Sequence, residues 1–285
     1  MSAGVRARAE VIRHVLASNP LNLVAFGLFG AILSIAIFAP SLVPHDPLRT
    51  NTEFALQGPS AQFWFGTDQL GRDIFSRVMV ATRLDLLIAF GAVTLSCAIG
   101  AMIGAMIGFW GGFWDLAISR MVDVVMAFPL FVLAMALVAG LGNTVANVVY
   151  ATTIVNLPFY IRLSRAEIRV RRDLGYVEAA RAGGSGDWRI LTRFLLPNIA
   201  APLVIQASVN LGWAVLNAAG LSFLGLGVRP PTPEWGIMVA EGARYIISGE
   251  WWVALFPGLA LMLTVFCFNL MGDALRDVLD PRLRT

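Results

Sequence analysis

The 285-residue chain is 58% hydrophobic and only 14% charged, with a mean hydropathy of +0.73 and a formal net charge of +3. Soluble domains carry roughly 25% charged residues, so the composition excludes a soluble globular domain and predicts an integral membrane protein. Every basic side chain apart from the two histidines is arginine. Without lysine, the chain has neither a Walker A loop nor Schiff-base chemistry. If ATP drives this protein, another chain must hydrolyse it.

Apolar runs of the length that crosses a membrane as a helix recur along the chain. They predict an all-α polytopic membrane protein with six spans, at about 21–43, 84–109, 116–139, 144–165, 198–224 and 251–272. The first run is too long for the apolar region of a secretory signal, and no small-residue cleavage pattern follows it. We therefore interpret it as a retained first span, preceded by a cytoplasmic N-terminal segment at 1–20.

The distribution of arginine predicts the orientation. The positive-inside rule assigns the loops richest in arginine to the cytoplasm, and the richest loop is 166–197. Both termini and this loop are therefore expected to be cytoplasmic, and segments 44–83 and 225–250 extracytoplasmic. Residues 84–285 then form a five-helix core that contains a cytoplasmic element at 174–197.

Two stretches of the outer segments are candidates for contacts. Thr67 and Asp68 are suitable caps for a helix from about Gln69 to Val80, whose apolar side fits an interfacial position. This helix is either a functional element or a structural cover, and the proline-rich chain after Arg229 is either an outer contact or a brace. The candidate residues for an outer gate or a binding-protein contact are Asp68, Arg72, Asp73, Pro231, Glu234 and Trp235.

Polar side chains inside the spans point to two further features. Four of them in the fifth span share one helical face, because their spacing is four, three and four. A polar face should not meet lipid, so it either lines the translocation path, which we favour, or bonds helices together. The candidate path residues are Gln206, Asn210, Trp213 and Asn217. Arg120 and Asp123 stand three residues apart in the third span and are expected to form a structural ion pair.

A polar island lies in the cytoplasmic loop. Tyr176 to Ala182 is rich in strong helix formers, and the glycines that follow cannot continue the helix. Asp187 is a good N-cap for a second helix from Trp188 to Leu196. The pattern predicts two short helices bent about a glycine hinge, with Ala179 and Ala180 on a small-residue surface that fits another protein's groove. The alternative is an ordinary solvated loop.

The island resembles the EAA motif of permease subunits in bacterial ATP-binding-cassette (ABC) importers, with Glu178-Ala179-Ala180, Gly184 and Leu196-Pro197 in register. Other segments resemble the C-type permease of dipeptide, oligopeptide and nickel importers. These segments are His45–Pro47, Phe65–Arg77, Gly220–Gly227, Pro230–Gly236, Asn269–Asp273 and Asp280–Arg284.

This resemblance implies a type I importer half-pore in the bacterial inner membrane. The implied partners are a B-type permease, two ABC ATPase subunits and an extracytoplasmic substrate-binding protein, besides the lipid bilayer, with no nucleic acid. The chain itself is expected to bind no metal or cofactor and to have no catalytic residues, since ATP and Mg belong to the ATPases. The implied ATPase-coupling residues are Glu178, Ala179, Ala180, Arg181, Gly183, Gly184, Asp187, Leu196 and Pro197.

Peptides are the expected cargo, with glutathione, nickel chelates or oligosaccharides as alternatives within the same family. An intramembrane enzyme is disfavoured because His14 and His45, the only histidines, lie outside the predicted spans. The middle spans also carry no acidic residue between Val124 and Ile161. A secondary transporter is disfavoured because it needs ion-coupling residues or broken helices at midplane.

Overall fold

The computed structural model describes residues 20–279. The predicted N-terminal segment up to residue 19 and the C-terminal motif Asp280–Arg284 lie outside the described residues. Within the described part, the chain forms helices and no β-strand, apart from one isolated bridge between Thr67 and Asp73. The prediction of an all-α protein is confirmed.

The helices are numbered in chain order. They are α1 Pro20–Leu42, α2 Ile74–Trp110, α3 Gly112–Ala127, α4 Leu130–Leu141, α5 Val145–Arg171, α6 Gly175–Ala182, α8 Ala200–Phe223, α9 Trp235–Ala243 and α10 Trp252–Leu279. Helix α7 lies between α6 and α8 and consists of Asp187–Arg189, a π-helical turn at Ile190–Leu195, and Leu196–Asn198.

Length and composition identify α1, α2, α8 and α10 as long and apolar enough to cross a membrane. Helices α3 and α4 together form either a broken span or a re-entrant loop, bent by 93°. The predicted span 116–139 is therefore interrupted between α3 and α4. The break lies at Phe128, which is extended because the following Pro129 disfavours a helical conformation there. By this criterion the described residues do not reach the predicted count of six. Helix α5 is 27 residues long, but polar residues such as Asn156 and Arg162 make it less apolar.

Helix α2 begins earlier than predicted and runs unbroken for 37 residues. A separate interfacial helix from Gln69 to Val80 is wrong, because the residues before Ile74 form a turn. Gly71 in this turn has φ +71°, and a Cβ there would lie 1.7 Å from the Asn51 carbonyl oxygen. The cap is Asp73, whose side chain accepts a hydrogen bond from the Ser76 N–H at 2.9 Å.

Helices α2 and α5 pack in parallel through a stripe of glycines. A Cβ atom on Gly100, Gly104 or Gly108 would lie closer than 3.0 Å to an atom of α5. Glycines four residues apart allow membrane helices to approach this closely, and their spacing in the sequence is a signal that the sequence analysis missed. The stripe joins α2 firmly to the helix that leads into the cytoplasmic loop.

The first outer segment packs against the start of α10. Phe65 stacks on Phe256 near the start of α10, with ring centroids 4.0 Å apart and planes inclined by 5°. The indole N–H of Trp252 donates to the Thr67 carbonyl at 3.3 Å. These contacts make the first outer segment and the start of α10 one packed unit.

Candidate coupling and translocation surfaces

Helix α6 is held to the protein on one side and open on the other. Val177 is fully buried and joins the same apolar core as Ile190 and Leu195 of α7. Glu178 and Ala179 are exposed, whereas Ala180 is half-buried and packs on that core. The predicted small-residue surface is therefore formed by Ala179 rather than equally by both alanines.

The hinge after α6 depends on Gly184. This residue has φ +79°, and the amides of Gly184 and Ser185 donate to the carbonyls of Arg181 and Ala180, both at 3.0 Å. These two bonds are a Schellman C-cap, which requires the left-handed conformation that glycine adopts without strain. The predicted hinge is thus a defined turn.

Helix α7 begins one residue earlier than expected. Its N-cap is Gly186, so the prediction of Asp187 as the cap is wrong, and Asp187 occupies the first helical position instead. An acidic side chain in the first turn still interacts favourably with the helix dipole. Asp187 also lies 3.8 Å from the Arg181 guanidinium across the hinge, an exposed pair that adds little stability.

A π-helical turn separates the hinge from the next span. The Leu196 N–H donates to the Leu191 carbonyl, five residues earlier. Such turns are rare and occur frequently at functional sites. Leu196 is half-buried and Pro197 is exposed, just before the chain bends at Ile199 into α8.

The open face of α6 carries apolar groups as well as polar ones. We call Leu174, Tyr176, Glu178 and Ala179 the coupling surface; all four are exposed. Exposed apolar side chains grouped on a polar segment are typical of protein-docking sites. Beside this surface, Trp188 of α7 lies parallel to Trp110 at the end of α2, with ring centroids 6.3 Å apart.

Two hydrogen bonds tie the end of α5, just before α6, to the spans. The Arg172 guanidinium at the end of α5 donates to the carbonyls of Gly108 and Phe109, at 3.2 and 3.1 Å. These carbonyls belong to the last turn of α2, where a cation is favourable. The element entering α6 is therefore fastened to the end of α2.

The predicted path residues divide into two pairs. Asn210 and Asn217 are buried within the chain, and Asn217 donates to the Thr152 hydroxyl of α5 at 3.1 Å. A residue lining a pore between two subunits must be exposed in the single subunit, so burial disfavours the path for both asparagines. The helix-bonding alternative fits Asn217, whereas Asn210 accepts a hydrogen bond from Gln206 of its own helix at 2.9 Å. Gln206 and Trp213 are half-buried, and the path prediction is retained for them alone.

The predicted outer contact residues are mostly inaccessible. Pro231 is exposed, but the other five are at most 3% exposed, so their side chains do not form an open surface for a docked protein. These buried residues are Asp68, Arg72, Asp73, Glu234 and Trp235. Arg72 and Asp68 form an ion pair inside the chain, and the Glu234 carboxylate binds backbone N–H groups, so these residues belong to the outer scaffold. The outer-gate alternative stays a prediction.

Arg72 shows how this scaffold is built. Its Nε donates to Asp68 at 2.6 Å, and its Nη2 donates to Glu241 of α9 at 3.3 Å. Arg77 lies 3.6 Å from the same Asp68 carboxylate. Buried charges are tolerated only when paired in this way, so the network joins the first outer segment to α9.

Glu234 and Trp235 hold α9 against α2. The Glu234 carboxylate caps α9 by accepting from the N–H groups of Gly236 and Ile237, at 2.9 and 2.8 Å. The Trp235 backbone N–H donates to Asp85 at 3.2 Å, and its indole donates to the Val78 carbonyl at 3.0 Å. Burial raises the pKa of Glu234 from its ordinary value, although the two N–H donors act in the opposite direction.

The ion pair predicted in the third span is present. Arg120 lies 3.5 Å from Asp123, and Arg162 of α5 donates to the same carboxylate. Nearby, Arg165 and Arg169 both bind Asp115. The predicted pair is confirmed and belongs to a larger network between α3 and α5.

Sequence comparisons identify the family to which this chain belongs. Residues 100–285 match the family described as "Binding-protein-dependent transport system inner membrane component". The chain belongs to this family. Residues 9–59 also match the "N-terminal TM domain of oligopeptide transport permease C", so the predicted resemblance to a C-type permease is confirmed. A permease of this family is a multi-pass inner-membrane transport protein that works with ATPase and substrate-binding partners.

Several relatives share most of the chain. A dipeptide transport system permease protein of Alkalihalophilus pseudofirmus is 43% identical over 270 residues, covering 95% of this chain and 88% of the relative. A probable D,D-dipeptide transport system permease protein of Escherichia coli is 41% identical, covering 94% and 90%. A glutathione transport system permease protein of Pectobacterium atrosepticum is 44% identical, covering 92% and 87%.

Proposed function

We propose that this chain forms one half of the translocation pore of an ATP-driven peptide importer and receives the ATPase movement through the coupling surface on α6. The observation that carries the proposal is the build of that element. A short helix with an exposed apolar and small-residue face is pinned by a glycine turn, a π-helical turn and the Arg172 bonds to α2. A stiff element of this kind passes a rigid-body movement on to the spans.

The assembly is proposed to contain a B-type permease as the other half-pore, two ATPase subunits carrying ATP and Mg, and an extracytoplasmic binding protein. We propose that both termini and α6 face the cytoplasm, as the arginine distribution predicts. Helix α5 is the proposed sixth span. It runs alongside α2, since Gly91 of α2 faces Val149 and Gly108 faces Arg165, and it thus crosses the same depth.

Gln206 and Trp213 are proposed to line the path, together with their exposed neighbours on α8, Val209 and Leu216. These side chains are available to a second subunit or to cargo. A path with few charges lets a substrate pass without trapping it. Selection by affinity is then left mainly to the binding protein.

The test of the coupling role is Ala179→Asp in the complete complex reconstituted in proteoliposomes. Because Ala179 is exposed, the substitution leaves the core of this chain intact while placing a charge on the docking face. We expect ATP-dependent dipeptide uptake to fall at least tenfold, with peptide capture by the binding protein unchanged. Ala179→Ser is the matched control and should retain uptake. Normal uptake by Ala179→Asp would exclude the coupling role of this face.

Glutathione is the second candidate cargo, because relatives 44% identical are glutathione permeases. Glutathione is itself a tripeptide, so the same pore chemistry suits both. Uptake of labelled dipeptide and labelled glutathione, each competed with the other, distinguishes the two. Nickel chelates and oligosaccharides are the remaining alternatives, and neither should compete if peptides are the cargo.

A further inference from the structure

An apolar groove opens between α2, α3 and α5 in the half of the spans nearer the coupling region. Its volume is about 580 Å³, and its walls include Trp110, Trp114, Ile118 and Ile154. Tryptophans are enriched at the membrane–water boundary. The two tryptophans therefore place one end of the groove near that boundary, and the apolar residues extend it toward the membrane interior.

A polar cavity of about 670 Å³ adjoins this groove. Val122 and Ile161 line both, so the two spaces meet where α3 contacts α5. The charged side chains of the polar cavity are Arg120, Arg162, Arg165, Arg169, Asp115 and Asp123. Four arginines against two aspartates leave a surplus of two positive charges.

The arginines retain donors for a further ligand. A guanidinium has five N–H donors, and the two carboxylates engage only some of those available. The side chains of Arg120 and Arg162 are 75% and 51% exposed. An anion approaching from the membrane surface can therefore reach them without breaking the network.

We propose that the groove and the adjoining arginines bind one anionic phospholipid, with an acyl chain in the groove and the phosphate on Arg120 and Arg162. Basic pockets between membrane helices are suited to anionic headgroups, and the groove supplies the matching apolar surface at the same level. The competing occupant is a helix of the other permease. Lipid is favoured because it brings a negative charge to the surplus arginines, whereas an apolar helix would leave that charge unmatched.

The experiment measures lipid binding to the delipidated, complete complex by native mass spectrometry, with phosphatidylglycerol and phosphatidylcholine of identical acyl chains. We expect preferential binding of phosphatidylglycerol to the unmodified protein. In R120Q/R162Q the affinity for phosphatidylglycerol should fall about 30-fold, because each of the two lost arginines contributes about 1 kcal/mol to anionic-lipid binding. The lysine variant R120K/R162K keeps the charge and should restore most of that affinity.

Two further variants show whether a loss of lipid binding comes from the proposed site or from a general loss of positive charge. R229Q/R244Q removes the same amount of charge from two exposed arginines of the outer segment 225–250, far from the proposed site, and should leave this lipid bound. I154W fills the groove and should also weaken phosphatidylglycerol binding while leaving every arginine in place. The selectivity measurement on the unmodified protein does not depend on any variant folding.

Three results would overturn the proposal. One is equal affinity for the two lipids, and another is an equal loss in R229Q/R244Q. The third is photocrosslinking from position 118 that captures the other permease instead of lipid. Because the coupling region is proposed to face the cytoplasm, we assign the lipid to the cytoplasmic leaflet, and this assignment rests on the proposed function. The lipid selectivity and the coupling test above are independent of each other.

Discussion

A Cβ atom at Gly104 would lie 2.3 Å from the carbonyl oxygen of Ile161. The backbones of α2 and α5 are therefore in direct contact at this point, in the last third of α2 and near the coupling region. Because α5 continues toward the coupling surface and Arg172 fastens its end to α2, this contact sets the position of the cytoplasmic element relative to the pore.

Replacing Gly104 by alanine should force α2 and α5 apart. Overpacking of this kind costs about 1–3 kcal/mol, and the carbonyl oxygen it meets cannot rotate away. We expect a lower melting temperature for the purified complex in a thermal-shift measurement. Gly30 of α1 is the control, because a Cβ there meets nothing within 4 Å. If G30A lowered the melting temperature as much as G104A, close packing would not be the reason.

Substitution of Gly184 by alanine tests the hinge. The residue has φ +79° but a Cβ would meet no atom within 4 Å, so strain arises from the backbone alone and amounts to about 1–2 kcal/mol. We expect faster hydrogen exchange in α6 and α7 and weaker coupling of ATP hydrolysis to uptake. The control is G186A, where φ is −68° and the effect should be smaller. Unchanged exchange in G184A would contradict the Schellman turn as the source of rigidity.

The Asn217–Thr152 bond should contribute to stability rather than to transport selectivity. In a double-mutant cycle with N217V and T152V, we expect a coupling energy of about 0.6 kcal/mol and at most about 2 kcal/mol. The relative uptake rates of different peptides should stay the same. A change in peptide preference with no coupling energy would return Asn217 to the path.

The stability of α9 should depend on pH through Glu234. Its raised pKa means that the folded protein holds this proton more tightly than the unfolded chain. The stabilisation is therefore greatest at acidic pH and is lost as the pH rises from the ordinary glutamate pKa of 4.5 through the raised value.

The measurement is hydrogen exchange of α9, corrected for intrinsic rates, at a series of pH values from about 4 upward, so that the series begins below the ordinary glutamate pKa. E234Q should be less stable overall because it caps α9 with one oxygen fewer, and its pH dependence in this window should be reduced. An identical pH profile for E234Q and the unmodified protein would assign the effect to another group.

The sequence alone determined the class of the protein, its helical fold and the position of its cytoplasmic motif. These features depend on local properties: hydropathy along consecutive residues, the helix-forming strength of Tyr176–Ala182, and glycine at a position that needs positive φ. The family followed from the same short motifs. The break before Pro129 was also local, but the apolar run around it concealed the break.

Only the tertiary structure decided which polar residues are exposed and so available for contacts with partners or cargo. Arg72 pairs with Glu241, 169 residues away, and Asn217 pairs with Thr152, 65 residues earlier. No spacing in the sequence distinguishes these buried charges and amides from exposed contact or path residues, because burial depends on which helices pack together. The glycine stripe of α2 had a visible spacing, but its partner face on α5 was fixed only when the two backbones met.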